Sequence, residues 1–328
     1  MRLCWAGLNL LFLAGPSVAA DKIARDWAKY PAIVQIDTSE DIFAIGDVHA
    51  DYDRLVNLLC TAGIVERNTG AWIGGRAVLV FTGDLIDKGP HSLQVIRLIS
   101  SLRIAAALKG GQVVTLMGNH EAEFLADPTE KKVRDFAQDL SGAGLTPQQV
   151  AACRGDVGQF LCSLPFGARV DDWFFSHGGN TGGRTISQLT ADLQNGVSKD
   201  GFGSSQLIDA NSMLEARIGE EGPAGKSWFE VESPQRNAEQ LLSRYVAALG
   251  VDHLVQGHQH QKTVFEDGQQ RRAGQMFQWR GLLFLIDVGM SEGVGNSHGA
   301  VLHIRQRDGE TSTIDANGKE TSLWKSQR

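Results

Sequence analysis

Short apolar runs that end in polar, glycine-containing turns recur along this chain of 328 residues. Continuous apolar runs of this length are typical of strands that are buried on both faces. Two runs, at 281–291 and 299–305, end without an obvious metal ligand. The other five end in turns that carry Asp, Asn or His: DIFAIGD (41–47), AVLVFTGD (77–84), QVVTLMGN (112–119), DDWFFSHGG (171–179) and DHLVQGH (252–258).

Helical spacing separates several of these runs. Leu55, Leu58, Leu59 and Ala62 recur at i, i+3, i+4 and i+7, and the same spacing follows Pro90. Alternation of strands and helices predicts an α/β fold with buried sheets, and the strand-rich C-terminal half predicts a second, partly antiparallel sheet.

The first 20 residues differ in composition from the rest. Arg2 precedes the apolar stretch LNLLFLAG, and small residues follow up to Ala20. This order is typical of a secretory signal peptide, and the apolar stretch is too short to span a bilayer comfortably. An uncleaved anchor or a buried helix is the alternative interpretation. We predict a signal peptide at 1–20, a periplasmic or secreted protein, and no membrane span in the mature chain.

The rest of the chain, 21–328, is interpreted as a single domain whose core lies at about 41–305. Two segments interrupt the alternating pattern and are interpreted as insertions into that core, at about 122–168 and 181–250.

The net charge and the cysteine content argue against two classes of binding site. The formal net charge of −7 argues against nucleic acid as the main partner, because a phosphate backbone needs basic contacts. Once Cys4 leaves with the signal peptide, three cysteines remain, and an odd number cannot pair fully. Cys153 and Cys162 are close enough in sequence for a disulfide, whereas Cys60 is interpreted as a core thiol. Without a C-x-x-C pair, a thiolate zinc site is not expected.

The turns that end the five strands carry the candidate chemistry. They read GDVHA, GDLIDKG, GNHE, SHGG and GHQH in chain order. Oxygen and nitrogen donors of these types suit divalent Mn, Fe, Zn or Mg, and the carboxyl ends of strands line the ligand crevice of open α/β sheets. The candidate metal ligands are Asp47, His49, Asp84, Asn119, His177, His258 and His260.

A centre of two divalent metal ions, with Mn, Fe or Zn as the candidates, fits this donor set. One carboxylate must bridge such ions, and Asp84 is the natural candidate. Hydroxide derived from a shared water would attack phosphorus directly. Asp47 and His49, with His260 as a possible addition, would complete the shell of one ion. The other ion would be held by Asn119, His177 and His258.

Two further residues are candidates for proton transfer. His120 follows a ligand directly, so it is the candidate acid that protonates the leaving oxygen. Asp87, three residues beyond Asp84, is the carboxylate expected to orient it.

Together these motifs resemble those of the calcineurin-like metallophosphoesterases. GDxH, GDxxD with a basic residue and Gly, GNHE and HGG are most similar to the phosphoprotein phosphatase superfamily, and IDVGMS points to its Shewanella-like branch. The resemblance covers about 41–305. It implies a sandwich of two mixed sheets flanked by helices, with the same metal ligands and with His120 and Asp87 as the proton donor pair. It also implies hydrolysis of phosphate monoesters, including phosphotyrosine in proteins.

Two other functions stay open. One is cleavage of nucleotides, as in the symmetrical dinucleoside tetraphosphate hydrolases of the same family. The other is a metal-binding interaction protein without catalytic activity.

The chain departs from the family where substrate phosphate is held. Lys88 stands where the family usually has an arginine; it keeps the charge but loses the bidentate fork. Trp228 is followed by Phe229 and Glu230, whereas related phosphatases often have an arginine within two residues of this tryptophan. The role of His260 is also open, because only phosphodiesterase-like relatives use it as a ligand. Arginines that could replace the missing ones are Arg54, Arg184 and Arg280.

Overall fold

The computed structural model describes residues 25–218, 238–265 and 267–326. Within them, the strands form two six-stranded sheets and one two-stranded sheet. Trp228, Phe229, Glu230 and the predicted signal peptide lie outside the described residues. The strands are β1 (Ile33–Ile36), β2 (Ile42–Ile45), β3 (Val78–Phe81), β4 (Gln112–Thr115), β5 (Gly167–Val170), β6 (Trp173–Ser176), β7 (His253–Gln256), β8 (Thr263–Val264), β9 (Gln270–Arg271), β10 (Phe277–Trp279), β11 (Leu283–Leu285), β12 (Ala300–Arg305), β13 (Glu310–Asp315) and β14 (Glu320–Lys325).

Helices lie between the strands in the first three quarters of the chain. Short 3-10 helices precede α4 at Lys131–Val133 and follow α7 at Gly201–Gly203. The α-helices within the described residues are α1 (Tyr52–Thr61), α2 (Ser92–Ala107), α3 (Asn119–Ala126), α4 (Arg134–Gly142), α5 (Pro147–Ala151), α6 (Gly155–Ser163), α7 (Ile186–Asp200), α8 (Ser205–Ile208) and α9 (Ala238–Leu249).

Each large sheet is mixed. The first has the order β1-β5-β6-β7-β11-β10, in which β6, β7 and β11 are parallel neighbours. The second has the order β14-β13-β12-β2-β3-β4, in which β2, β3 and β4 are parallel and β12 to β14 are antiparallel. The predicted second, partly antiparallel sheet is therefore confirmed. All seven predicted strands are present.

The two large sheets share one buried core. Ile42 and Ala44 of β2 point into a cluster that also contains Phe175 of β6 in the other sheet. The alternate residues of β2, Phe43 and Ile45, belong to a second cluster with the helices. Because side chains alternate between the faces of a strand, each sheet buries one face on the other sheet and one on helices. The predicted two-sheet sandwich flanked by helices is confirmed.

The helical spacing of the sequence corresponds to the buried stripe of α1. Leu55, Leu58 and Leu59 are fully buried against the helix-side core. The Asp51 side chain accepts a hydrogen bond from the backbone N–H of Arg54, which caps the first turn of the helix.

A disulfide joins Cys153, just beyond α5, to Cys162 in α6. Cys60 is a free thiol that packs, partly buried, against the helix-side core. None of the helices in the described ranges is long and apolar enough to cross a bilayer.

Candidate metal centre and active site

Parallel strands bring the candidate ligands to one edge of the sandwich. β2, β3 and β4 run in the same direction, so the turns that follow them, with Asp47, Asp84 and Asn119, lie side by side. Strands β6 and β7 of the other sheet are also parallel, so the turns that follow them place His177 and His258 side by side. All five of these residues are buried.

Hydrogen bonds join the two sheet edges at this point. His177 Nδ1 donates to the carbonyl oxygen of Thr82 (2.9 Å), and the backbone N–H of His258 donates to Asp47 Oδ1 (3.0 Å). The site is therefore built across the sandwich rather than on one sheet.

Asp84 lies at the centre of the cluster. Its Oδ2 is 3.6 Å from His49 Nε2, and its Oδ1 is 3.3 Å from His177 Nε2. The donor atoms form two groups that each fit a metal ion, with the members of each group within 4.8 Å of one another. Both groups contain Asp84, as a bridging carboxylate requires. The first group is His49, Asp84 and His120, and the second is Asp84, His177 and His258.

Asn119 and Asp47 border these groups. Asn119 Oδ1 is 3.0 Å from His177 Nε2. Asp47 lies between the groups, with Oδ2 3.9 Å from His49 Nε2 and Oδ1 3.9 Å from His177 Nδ1. Burial and the negative charges of Asp287 and Asp84 raise the pKa of Asp47 well above its usual range. Cations between these carboxylates would relieve that repulsion, so the donor set fits divalent metal.

Two of the imidazoles are held in the neutral form that metal ligation needs. Burial lowers the pKa of His49 to about 4, and burial together with the nearby His177 lowers the pKa of His258 well below its usual value. Each ring donates one N–H to a backbone carbonyl: His49 Nδ1 to Ile86 (3.2 Å) and His258 Nε2 to Glu215 (3.1 Å). The other nitrogen of His49 is left for a metal, whereas His258 Nδ1 lies 3.1 Å from His177 Nε2, a contact that a cation bound between the two rings would replace.

His177 differs because it faces two carboxylates. Burial lowers its pKa, but the negative charges of Asp84 and Asp47 outweigh burial and raise the pKa to about 10. Ligation requires the neutral ring, so a proton on Nε2 would leave when a cation binds there.

The carboxylate of Glu121 holds the Asp84 turn in place. It accepts four backbone N–H bonds of 2.8–3.2 Å, from Asp84, Leu85, Ile86 and Gly118. Burial and the charge of Asp84 raise the pKa of Glu121 to about 7, and the N–H donors of Gly118 and Leu85 oppose this shift. Glu121 is the last residue of the motif GNHE and was not among the predicted site residues.

The turns that carry the ligands have left-handed backbone conformations. φ is +45° at His49, +50° at Asp84 and +62° at His258, which are uncommon for residues other than glycine. Gly118 is required for a different reason, since a Cβ there would lie 2.1 Å from Asp84 Oδ1. Strained turns of this kind cluster at functional sites.

His120 and Asp87 form a buried pair beside the first donor group. His120 Nδ1 is 3.1 Å from Asp87 Oδ2, and the other carboxylate oxygen of Asp87 accepts the backbone N–H of Phe136 (2.9 Å). Burial lowers the pKa of His120, but the charges of Asp84 and Asp87 and the hydrogen bond to Asp87 raise it above its usual value. Because Nδ1 is engaged, Nε2 is the nitrogen left for proton donation.

His260 stands apart from both donor groups. Its Nδ1 is 3.6 Å from Asp287 Oδ2, and its side chain is 25% exposed. Asp287 directly follows the strand run LLFLI, is fully buried, and accepts a hydrogen bond from the backbone N–H of Gly289 (2.8 Å). Asp287 was not among the predicted site residues, although its position directly after an apolar run was the available signal.

The predicted phosphate-binding residues lie in different surroundings. Lys88 is exposed and lines a cavity of about 430 Å³ that His49 also borders. Arg54 donates to the carbonyl oxygen of Met290 (2.5 Å) and to Asn296 Oδ1 (2.6 Å).

The other two arginines considered as replacements are paired with carboxylates. Arg184 pairs with Asp192 (3.0 Å), and Arg280 pairs with Glu239 (3.0 Å) and Asp267 (3.3 Å).

Several known proteins are similar to this chain. The family model of the calcineurin-like phosphoesterases matches residues 41–262. An uncharacterised protein of Schizosaccharomyces pombe is 26% identical over 302 residues, which are 85% of this chain and 79% of that protein. Shewanella-like protein phosphatase 2 of Arabidopsis thaliana is 30% identical over 152 residues, which are 45% of this chain and 37% of the plant protein.

A solved structure is also similar. The cold-active protein-tyrosine phosphatase of a psychrophilic Shewanella species matches with a TM-score of 0.66 and 22% identity, over 88% of this chain and 82% of that chain. At this identity the similarity shows a shared fold.

The role of Glu121 can be tested by metal binding. Glu121→Gln replaces one accepting oxygen by an amide that donates, so about half of the N–H bonds to the Asp84 turn are lost. We expect Mn²⁺ affinity to fall about 10- to 100-fold, the usual effect of losing an outer-shell partner. Calorimetric titration with Mn²⁺ measures it.

Glu123→Gln is the matched control, because Glu123 lies in the same helix but bonds to Lys132 instead of to the turns. Equal Mn²⁺ affinities of the Glu121→Gln protein and the wild type would contradict the assigned role.

Proposed function

Because this chain belongs to the calcineurin-like phosphoesterase family, we propose that it hydrolyses phosphate monoesters at a centre of two divalent metal ions. The observation that carries the proposal is the position of Asp84 in both buried donor groups. Phosphotyrosine in proteins is the proposed substrate class. It is supported by the phosphatase name of the Arabidopsis relative and by the fold shared with the Shewanella tyrosine phosphatase.

The residues divide the chemistry between them. Bound at these donors, two divalent ions would neutralise charge on the phosphoryl oxygens and activate water as the nucleophile. The buried side chains of Asp84, Asn119 and His177 hold their own oxygen and nitrogen donors in place, so the site is preorganised before substrate arrives. The oxygen and nitrogen donors suit Mn, Fe or Zn.

His120 is the proposed proton donor to the leaving oxygen. Asp87 holds Nδ1, so the proton on Nε2 faces the centre, and its charge favours the protonated ring. Lys88, on the rim of the cavity beside His49, is proposed to bind phosphoryl oxygens as a point charge.

His120→Asn tests this assignment. We expect kcat on para-nitrophenyl phosphate to fall about 10²- to 10⁴-fold, the usual contribution of general acid catalysis, with two metal ions retained per chain. His303→Asn, outside the site, is the matched control.

Asp87→Asn removes a charge that raises the His120 pKa, so the alkaline limb of the pH–rate profile should move to lower pH.

Rates and metal content are measured together on Mn²⁺-loaded protein. A His120→Asn protein that lost one metal ion would identify His120 as a ligand instead of the acid. An unchanged rate would exclude both roles.

Substrate class is tested by a panel on the metal-loaded protein. We expect kcat/KM to be highest on phosphotyrosine peptides, lower on the same peptides with phosphoserine, and lowest on dinucleoside tetraphosphate. Fast cleavage of the dinucleotide with negligible turnover of the peptides would replace our proposal by nucleotide hydrolysis. No turnover of any substrate with any divalent metal would favour a non-catalytic binding protein.

We propose that the protein is exported to the periplasm or secreted. The Cys153–Cys162 disulfide supports this, because disulfides persist in oxidising compartments. In a bacterial expression host, we expect periplasmic protein whose N-terminal sequence starts at Asp21, with Cys60 as the alkylatable thiol after unfolding. Cytoplasmic protein that retains Met1 would contradict export.

A further inference from the structure

The C-terminal end of α2 exposes apolar side chains to solvent. The inward face of this helix buries Ile96, Ile99 and Leu102 in the helix-side core. Its other face carries Ile104 and, at the end of the helix, Leu108, which are 67% and 81% exposed. A helix that is apolar on both faces and packs only one of them has a second apolar surface left to cover.

The neighbouring loop 73–76 widens this surface. A Cβ on Gly110, just beyond the helix, would lie 3.6 Å from Arg76 Cγ, so the loop lies against the end of α2. Ile73 in this loop is 54% exposed. Three of the five large apolar side chains that are exposed in the described ranges are therefore at this end of the molecule. We call the three residues the α2-end patch: Ile73, Ile104 and Leu108.

Basic side chains surround the α2-end patch. Arg76, Arg103 and Lys109 are all exposed. Arg76 is paired with Glu40 (3.0 Å), whereas Arg103 lies over a phenylalanine ring of α6. From 88 to 120 the sequence contains no Asp or Glu, although the whole chain has a formal net charge of −7. The patch is thus a basic corner of an acidic protein.

The α2-end patch lies at the end of α2 that is remote from the metal centre. α2 begins beside the cavity of the centre, which Pro90 borders. Its 16 residues span about 24 Å, at about 1.5 Å per residue. In that cavity the carboxylates of Asp51, Asp53 and Glu292 outnumber the cation Lys88. A negatively charged surface would therefore attract the patch and repel the end of the molecule that carries the centre.

We propose that the α2-end patch docks on the surface of an anionic lipid bilayer. Aliphatic side chains enter the boundary between head groups and acyl chains, and neighbouring Arg and Lys side chains bind the lipid phosphates. The length of α2 would keep the metal centre clear of the bilayer and open to substrate. A second copy of this chain fits the patch less well, because a two-fold contact would bring the basic residues of both copies together.

The test is co-sedimentation of the purified protein, as the host cell processes it, with lipid vesicles at low salt. Vesicles made of equal parts of phosphatidylglycerol and phosphatidylcholine are compared with vesicles of phosphatidylcholine alone. We expect the wild type to bind the anionic vesicles and to bind the neutral ones about 10- to 100-fold more weakly, because each basic side chain near an anionic surface contributes to binding. Added NaCl should release the protein, since salt screens this attraction.

Variants separate the apolar contribution from the charged one. The double variant Ile104→Gln/Leu108→Gln keeps the charge and removes the apolar contact, so partitioning onto anionic vesicles should fall about 10- to 100-fold. Arg103→Gln/Lys109→Gln should weaken binding about 10-fold and reduce its salt dependence. Val264→Gln is the matched control, because Val264 is 56% exposed but lies on β8, outside the patch. It should bind as the wild type does.

Thermal unfolding midpoints show whether each variant is folded, and the single variant Leu108→Gln decides the question if the double variant is not. A wild type that does not bind anionic vesicles would overturn the proposal, as would equal binding by the wild type and the folded variants of the patch. A wild type that ignores vesicles but forms a dimer, which Leu108→Gln dissociates, would assign the patch to a second copy instead.

Activity separates this proposal from the proposed function. Turnover of para-nitrophenyl phosphate by the metal-loaded protein should be the same in the wild type and in the patch variants, because α2 separates the patch from the centre. Loss of vesicle binding with full activity would leave the phosphoesterase function intact, and vesicle binding by a protein without activity would leave the docking surface intact.

Discussion

The Glu121 carboxylate accepts backbone N–H bonds from the turn after β3 and from the start of α3, and so locks these two segments together. One oxygen binds the N–H groups of Asp84 and Gly118, and the other binds those of Leu85 and Ile86. A buried carboxylate with four such donors leaves the Asp84 turn little freedom. The left-handed backbone at Asp84 is held in this way, and its side chain is aimed at the space between the imidazoles.

Because this geometry brings several carboxylates together, the centre depends on positive charge to balance them. Asp47, Asp84 and Asp287 are buried close to one another, with Glu121 behind Asp84. Burial and repulsion from Asp287 and Asp84 oppose ionisation of Asp47. The neutral rings of His49 and His258 provide lone pairs instead of positive charge. Divalent cations bound here would relieve the repulsion between the carboxylates and accept the lone pairs of the imidazoles.

Much of this arrangement could be predicted from the sequence because it is encoded locally. Asp47 and Asp84 directly follow apolar runs that are strands, and parallel strands bring such residues to one edge whatever the separation along the chain. His120 was predicted for the same reason.

Features that depend on contacts between distant segments could not be predicted in this way. Glu121 acts through backbone groups 35 to 37 residues away, and the backbone carbonyl of Glu215 orients His258, which is 43 residues further along the chain. Asp287 follows a strand as Asp84 does, but its carboxylate lies near His260, which belongs to neither donor group. Strands β13 (ETSTID) and β14 (ETSLWK) consist mostly of polar residues, so the apolar-run pattern did not include them.

Asp84 is the proposed bridge between two metal ions. Electron paramagnetic resonance on the Mn²⁺-loaded mature protein, with metal content measured on the same sample, tests it most directly. We expect two ions per chain and the signal of a spin-coupled pair, with both the coupling and one or both ions lost in Asp84→Asn. One ion per chain, or two uncoupled ions, would contradict it.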